Sequence, residues 1–401
     1  MKQILKQGCS LSLLLAVCLL LSSCWSSSPI EDVNMEAGVA LDIADETETE
    51  QDFAQKGGEY PKRNKVSCTY QFLIPQGAIG SKKEGAQSKN YYNATQTGDS
   101  IFEAVRELSL RSNRLPIGHH LKTIVIGEEL ARTTKLSELI EFFSRDNDIR
   151  PSVLLLISKG KAREVFRDSL PGQTPAFVLN GTFNNRKRIT RIWEPVSMAK
   201  VVGPLHGHTS FVLQNVIVSG KETKFSGVAV IKGTTGKLGG FLDEGELDGL
   251  IWITGKGKGG AVKTYNPDNN KLVTYEITDM DSKIKPSVKG DKISFHVSME
   301  SEGRIAEAYI AGGERLQDGT LKQVRKAIEK KVQDIAESTV HKLQYELQAD
   351  VAGFGKSLQI QYPSVWNKVK GDWDEVFSNV PVTYEVKLNI EDYGASSTTV
   401  E

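Results

Sequence analysis

From Leu321 to Leu347, Leu321, Val324, Ile328, Val332, Ile335, Val340, Leu343 and Leu347 recur at spacings of three and four, with Thr339 on the same stripe. Lys, Arg, Glu and Gln occupy most other positions, so one face stays apolar over about seven helical turns. This pattern predicts a long amphipathic helix whose stripe must be covered, either by a sheet or by a partner or membrane surface. A sheet is the simpler cover, and a strand suited to it follows. In Val380-Pro381-Val382-Thr383-Tyr384-Glu385-Val386-Lys387-Leu388-Asn389-Ile390 every second residue is apolar, as in a strand with one face buried.

The other end of the chain sets its compartment. Lys2 and Lys6 form a basic start, and Leu11 to Leu21 is an apolar run of 11 residues. About 20 are needed to cross a bilayer, so this run reads as a signal h-region and not as a permanent span. The next residues, Leu21-Ser22-Ser23-Cys24, resemble the bacterial lipobox. That resemblance implies cleavage before Cys24, an S-diacylglyceryl group on its thiol and N-acylation of the new terminus. Each buried methylene contributes about 0.8 kcal/mol, so two acyl chains anchor stably where one is marginal. The remainder reads as an exported body tethered at its first residue.

Lys+Arg and Asp+Glu number 50 each, and loss of residues 1–23 shifts the net charge to −2. No basic field remains to hold a nucleic acid. With 39% apolar and 25% charged residues, the chain is too apolar for disorder. Its 401 residues favour two or three domains. Of four cysteines, Cys9, Cys18, Cys24 and Cys68, only Cys68 would survive maturation as a free thiol. It lies in a strand-like run and reads as a small buried hydrophobe.

Along the chain, Val39, Leu41 and Ile43 alternate with small or polar residues, and Val66 to Ile74 is a second period-2 run that could pair with them. Asp45 to Asn64 and Gly77 to Asn90 have no apolar period and read as mobile insertions. Asp99 or Ser100 can cap a helix starting at Ile101. Leu121 to Ile126 reads as strand, Leu136 to Phe143 as helix, Pro151 to Ile157 as buried strand and Ala162 to Phe166 as a short helix. Alternation of this kind argues an α/β unit. Glycine-punctuated strands then follow at Val212 to Val218, Gly227 to Lys232, Gly249 to Thr254, Val262 to Tyr265 and Leu272 to Ile277, with Lys292 to Ser298 after them.

The expected architecture is α+β or mixed α/β: three domains of mixed sheets with packed helices, the long helix lying against an antiparallel sheet in the last. The expected boundaries are 1–23 for the signal peptide, 24–200 for an N-terminal mixed α/β domain, 201–285 for a β-rich middle and 286–401 for the C-terminal domain.

Motifs for chemistry are weak. Gly255-Lys256-Gly257-Lys258-Gly259-Gly260 has the form G-x-G-x-x-G, but a dinucleotide site needs that loop to open a helix. Ala261 to Tyr265 continues as strand, so a flexible β-turn is expected. Gly355-Lys356-Ser357 has the ending of a P-loop, yet Asp350 stands where its first Gly is required. His119-His120 and His206-Gly207-His208 have no Cys or carboxylate set at metal-ligand spacing and read as loop or core histidines. The sequons at Asn93 and Asn180 carry no weight beside a bacterial lipobox. No catalytic, cofactor or metal residue is expected.

Several segments together resemble the Ger(x)C family, the C-subunit lipoproteins of bacterial spore germinant receptors. They are Cys24-Trp25 with Ile30-Glu31-Asp32, Gly38 and Asp42; Glu103-Ala104 through His119 to Lys122-Thr123-Ile124-Val125-Ile126-Gly127 and Glu129; Ser144 to Arg150; Lys159-Gly160-Lys161-Ala162; and Ala349-Asp350-Val351-Ala352-Gly353-Phe354-Gly355 with Tyr362-Pro363, Trp366 and Asp372 to Phe377. The departures are Ser26-Ser27-Ser28-Pro29, where the family has a charged residue after the Trp, and a longer Asp45 to Asn64 loop. The resemblance implies a non-catalytic subunit with three mixed α/β domains in the spore inner membrane, beside membrane-embedded A and B subunits. Cys24 is the only functional position it carries over. Two competing readings are a solute-binding lipoprotein of an ABC importer, which needs two doubly wound lobes about a cleft, and a lipid-anchored hydrolase, for which no nucleophile motif stands.

Overall fold

The computed structural model describes residues 33–63, 65–74, 89–266, 270–308 and 318–392. The signal run, Cys24 and most of the Gly77 to Asn90 loop lie outside the described residues. The elements are β1 (Val33–Ile43), α1 (Glu48–Gln55), β2 (Val66–Leu73), β3 (Tyr91–Gly98), α2 (Ile101–Leu108), β4 (Leu115–Ile117), β5 (Thr123–Gly127), α3 (Glu128–Thr133), α4 (Leu136–Arg145), β6 (Leu154–Ser158), α5 (Arg163–Arg167), α6 (Pro175–Thr182), α7 (Met198–His206), β7 (Phe211–Ser219), β8 (Glu222–Ile231) and β9 (Leu238–Leu242). After them come α8 (Glu244–Thr254), β10 (Gly260–Tyr265), β11 (Leu272–Lys289), β12 (Lys292–Ala308), α9 (Asp318–His341), α10 (Phe354–Gln361), α11 (Pro363–Val369), α12 (Trp373–Asn379) and β13 (Val382–Asp392).

The first sheet runs β3-β2-β1-β5-β6-β7-β8-β9, with β4 beside β1. β1 and β2 pair antiparallel through Val39↔Tyr70, Leu41↔Cys68 and Ile43↔Val66, as their alternation predicted. β1, β5, β6 and β7 are parallel neighbours. The central strands are buried on both faces, which is why Pro151 to Ile157 shows an unbroken apolar run. Ile124, Ile126, Leu155 and Ile157 meet α2, α3 and α4 on one face, while Val125, Leu154 and Leu156 meet α5 and α6 on the other.

The second sheet, β10-β11-β12-β13, is mixed and not purely antiparallel: β10, β11 and β12 alternate in direction, but β13 runs parallel to β12. The helical crossover α9 to α12 returns the chain to the end at which β12 began, and a strand reached that way enters in parallel. α9 is the expected long helix, with Val324, Ile328, Val332, Ala336 and Val340 fully buried along its stripe. It ends in a π-turn, Lys342–Leu347, stopped by Gln348 at φ 46°.

Three other expectations differ from the structure. Asp45 to Asn64 is not a loose insertion, since it holds α1, opened by a capping box between Thr47 and Glu50. The buried Glu50 also accepts from the Thr97 amide at 2.6 Å and its hydroxyl at 2.8 Å, pinning the segment to β3. An acidic, aperiodic composition looks like solvation, but this carboxylate is used internally.

Gly249 to Thr254 is the second half of α8, not a strand. Asp243 and Glu246 form its capping box, and Gly255 at φ 63° ends it. Because Leu247, Leu250, Ile251, Trp252 and Ile253 are all buried, the apolar run has no helical period to display, and a buried helix then looks like a buried strand.

The region 201–285 divides between the two sheets: β7 to β9 complete the first, and β10 and β11 begin the second. One continuous core links them, from Val212, Val228 and Leu242 through α8 to Tyr275, Phe295, Val297 and the α9 stripe.

α8 crosses α9 at Gly249. A Cβ there would lie 2.1 Å from Thr339 Oγ1 and 2.7 Å from the Ile335 carbonyl oxygen, while Thr339 Oγ1 donates to the Glu246 carbonyl at 3.1 Å. Gly249→Val is expected to lower stability by about 3 kcal/mol, because the backbone of α9 must move to admit the side chain. Gly371→Ala, with open space around it, should change stability by less than about 0.5 kcal/mol. Denaturant unfolding of the mature chain checks both.

Candidate functional site

The chain leaves β5 into helices on one face of the first sheet and leaves β6 into helices on the other. Open α/β sheets bind ligands at such a switch, beyond the carboxyl ends of the strands. A crevice of about 260 Å³ lies there, lined by Asp42, Ile43, Glu128, Arg132, Gly160 and Lys161 among others.

Its anion position is filled from within. Asp42, at the end of β1, accepts from the amides of Ala162 at 2.6 Å and Arg163 at 2.8 Å, which open α5. Gly127 makes room for this, because a Cβ there would stand 2.2 Å from Asp42 Oδ1. The nearby cations are taken as well: Asp45 Oδ2 meets Lys161 Nζ at 2.5 Å and Arg163 Nη2 at 2.9 Å. The hydrogen bond from Lys161, with the charge of Arg163, holds the Asp45 carboxyl below its usual range. Burial pushes the Asp42 carboxyl up, opposed by the two amides and by Arg163. Three segments far apart in sequence, Asp42, Gly127 and Lys161-Ala162, thus meet in one closed junction.

The second junction lies under the other sheet. Asp350 is buried and accepts four N–H groups: the amides of Gly353 at 2.8 Å and Phe354 at 3.1 Å on one oxygen, and Gly355 at 2.6 Å with the indole Nε1 of Trp373 at 3.0 Å on the other. Gly353 has φ 94°, a conformation that suits glycine. Phe295, Phe354, Phe377, Trp366 and Trp373 pack edge-on or tilted against one another, with ring centroids 5.1–6.3 Å apart. Ser357 Oγ donates to the Ile284 carbonyl at 2.6 Å. The Gly355-Lys356-Ser357 run therefore opens a helix whose first amides already serve Asp350, and it holds no phosphate cradle. Gly353, not Asp350, holds the N-cap position of α10, so the usual capping signal does not announce this role in the sequence.

The remaining residues singled out from sequence do not converge. His119 lies on an exposed turn, with Nδ1 2.9 Å from the Asp148 carbonyl, His206 closes α7 and His208 has φ 48°. Cys68 is fully buried, which pushes its thiol far up. Gly255 caps α8, while Gly259 and Gly260, the latter the first residue of β10, pass against Lys187 and Thr190. Among the described residues no group of three or more His, Cys, Asp or Glu is placed to hold a metal ion.

One buried carboxyl gave no sequence signal. Glu36 is 5% exposed on β1, and burial, reinforced by Asp146 and Asp148, pushes its pKa up to about 8. Between about pH 4.5 and pH 8 the unfolded chain ionises this group and the folded chain keeps it neutral, so stability falls as pH rises through that window. Glu36→Gln should change stability little at pH 5 and raise it by about 3 kcal/mol at pH 8, as read from paired denaturation curves. Asp350→Ala, which strands four buried donors, should cost about 3–5 kcal/mol and alter the near-ultraviolet dichroism contributed by Trp373.

Comparison with known proteins places this architecture among germination proteins. A family model for the spore germination protein N-terminal domain matches residues 26–218, and one described as spore germination B3/GerAC like, C-terminal, matches 226–394. Spore germination protein YndF of Bacillus subtilis (strain 168) is 39% identical over 406 residues, covering 99% of this chain and all of the relative. Spore germination protein B3 of the same organism is 28% identical, covering 97% of this chain and 99% of its own length. The solved structure titled as that of the GerBC protein aligns with TM-score 0.61 and 26% identity over 88% of this chain and 97% of that one.

Proposed function

The chain belongs to the spore germination B3/GerAC-like family, and from that membership we propose that it is the lipid-anchored C subunit of a nutrient germinant receptor. In this reading it is a non-catalytic module on the outer surface of the spore inner membrane, held there through acylated Cys24 beside membrane-embedded A and B subunits. The observation that carries the reading is end-to-end similarity to germination proteins, with the N-terminal match starting at residue 26, two residues after Cys24. The two closed junctions support it: the switch-point crevice and the P-loop-like run are both occupied by the chain's own carboxylates. The second sheet, built on one long hairpin, does not supply the second doubly wound lobe that an importer's binding protein needs.

None of the described helices is long and apolar enough to cross a membrane, and the lipid on Cys24 would supply the attachment. Confinement to the membrane plane raises the effective concentration of a folded body near membrane partners, so weak contacts suffice for assembly. Cys24→Ala is expected to abolish incorporation of labelled fatty acid, to lower the membrane-bound fraction by about tenfold or more and to slow the germination response to nutrients. A variant that still incorporates label, or spores that germinate at the wild-type rate without it, would refute the anchor reading.

A further inference from the structure

The start of β1 is tied to one short segment. Val33, Asn34 and Met35 pair with Leu115, Pro116 and Ile117 of β4, and Asn34 Nδ2 donates to Ser112 Oγ at 2.7 Å and to the Arg114 carbonyl at 3.4 Å. The point where the described chain begins is therefore fastened to the segment that leads from α2 to β4.

That segment is unusual at its surface. Leu110 is 81% exposed and Leu115 67%, the first ahead of Ile360 and the second close to it among the exposed large hydrophobics. Phe53 of α1 shares a small pocket with Leu110, and the Arg111 guanidinium lies 5.7 Å from the Phe53 ring. Between Arg106 and Leu115 the chain carries three arginines, Arg106, Arg111 and Arg114, against one carboxylate, Glu107. Lys62 pairs with Glu46 and Glu50 in the same pocket, and Glu59 and Glu107 also line it.

Only eight residues, Trp25 to Asp32, separate Cys24 from Val33. Fully extended they reach about 28 Å, while a folded body of this size has a radius of gyration of roughly 20 Å. That radius implies a body roughly 50 Å across, which the tether cannot span, so the face around Val33 is the one brought to the bilayer. Exposed leucines with an aromatic ring and arginines match the chemistry of an interfacial lipid contact, apolar side chains entering the headgroup boundary and cations meeting anionic lipids.

We propose that Leu110, Leu115 and their flanking arginines form the membrane-contacting face of this protein, with an anionic lipid surface as the occupant. The inference rests on the lipid-anchor reading and adds to it an orientation: β1 starts at the bilayer, and the contact, not the acyl chains alone, fixes how the body stands.

The test places a photoreactive benzophenone side chain at Leu115, at Leu110 or, as control, at Ile360 on α10, in the mature acylated chain on vesicles of phosphatidylglycerol and phosphatidylcholine. Lipid adducts at Leu115 and Leu110 should exceed those at Ile360 by about tenfold and fall when phosphatidylglycerol is omitted. Equal yields at all three positions, on a chain whose intact mass shows acylated Cys24, would overturn the contact face and leave the anchor standing. A chain lacking the acyl mass fails the anchor reading instead. The same probes on a chain joined at Cys24 to a maleimide lipid then decide the face by the same ratio.

Discussion

The fold depends on a helix with almost no solvent side. α8 follows the last strand of the first sheet, touches β8 there, and lies against β11 and β12 of the second sheet and against α9. Burial of Leu247, Leu250, Ile251, Trp252 and Ile253 contributes on the order of 10 kcal/mol before the entropy of ordering is set against it. It meets α9 closely at Gly249, where the missing Cβ leaves room for the Thr339 side chain and the Ile335 carbonyl. The partly buried Asp248 turns outward to Thr190 and Arg191. With both sheets packed on one helix, the cluster around α8 runs from Val212, Val228 and Leu242 of the first sheet into the second, while the helices on the two faces of the first sheet close two further clusters.

Around that core, buried carboxylates do what bound ligands do in other α/β proteins. Asp42 occupies the helix-end amides at the switch of the first sheet, and Asp350 gathers three amides and an indole beneath the second. Each converts a place where an external anion could bind into an internal tie between distant segments. A charge-assisted hydrogen bond stabilises by about 1.5–3 kcal/mol, and loss of either acceptor strands buried donors. Residues that look like catalytic equipment in the sequence serve here to close the structure.

How far this was legible depended on whether an element shows two kinds of environment. α9 and β13 each have a wet face and a dry one, so Val324 to Val340 and Val382 to Ile390 announced themselves by period. Ser100 announced the start of α2 by capping chemistry. α8 is dry all round and reads as strand, and α1 looks like a solvated loop because nothing local reveals that Glu50 reaches Thr97 of β3. The parallel entry of β13 was hidden for a related reason, since strand direction is set by the crossover and leaves no mark on the strand itself. Asp350 gave no local signal either, because it stands four residues before α10 and one of its four donors is the indole of Trp373, 23 residues on. Glu36 was beyond reach, because its neutrality comes first from burial in the folded chain and then from Asp146 and Asp148, more than a hundred residues away.

A core that joins both sheets has a mechanical consequence. Moving one sheet against the other would require α8 to leave one of its two packing surfaces, exposing several large apolar side chains at about 2 kcal/mol each. Such a body responds to forces as one piece. Under the anchored-subunit reading, what the protein contributes to its partners is a fixed shape held at a short distance from the bilayer. Its orientation is then the variable on which assembly depends, set by the end of the molecule where β1 and β4 pair.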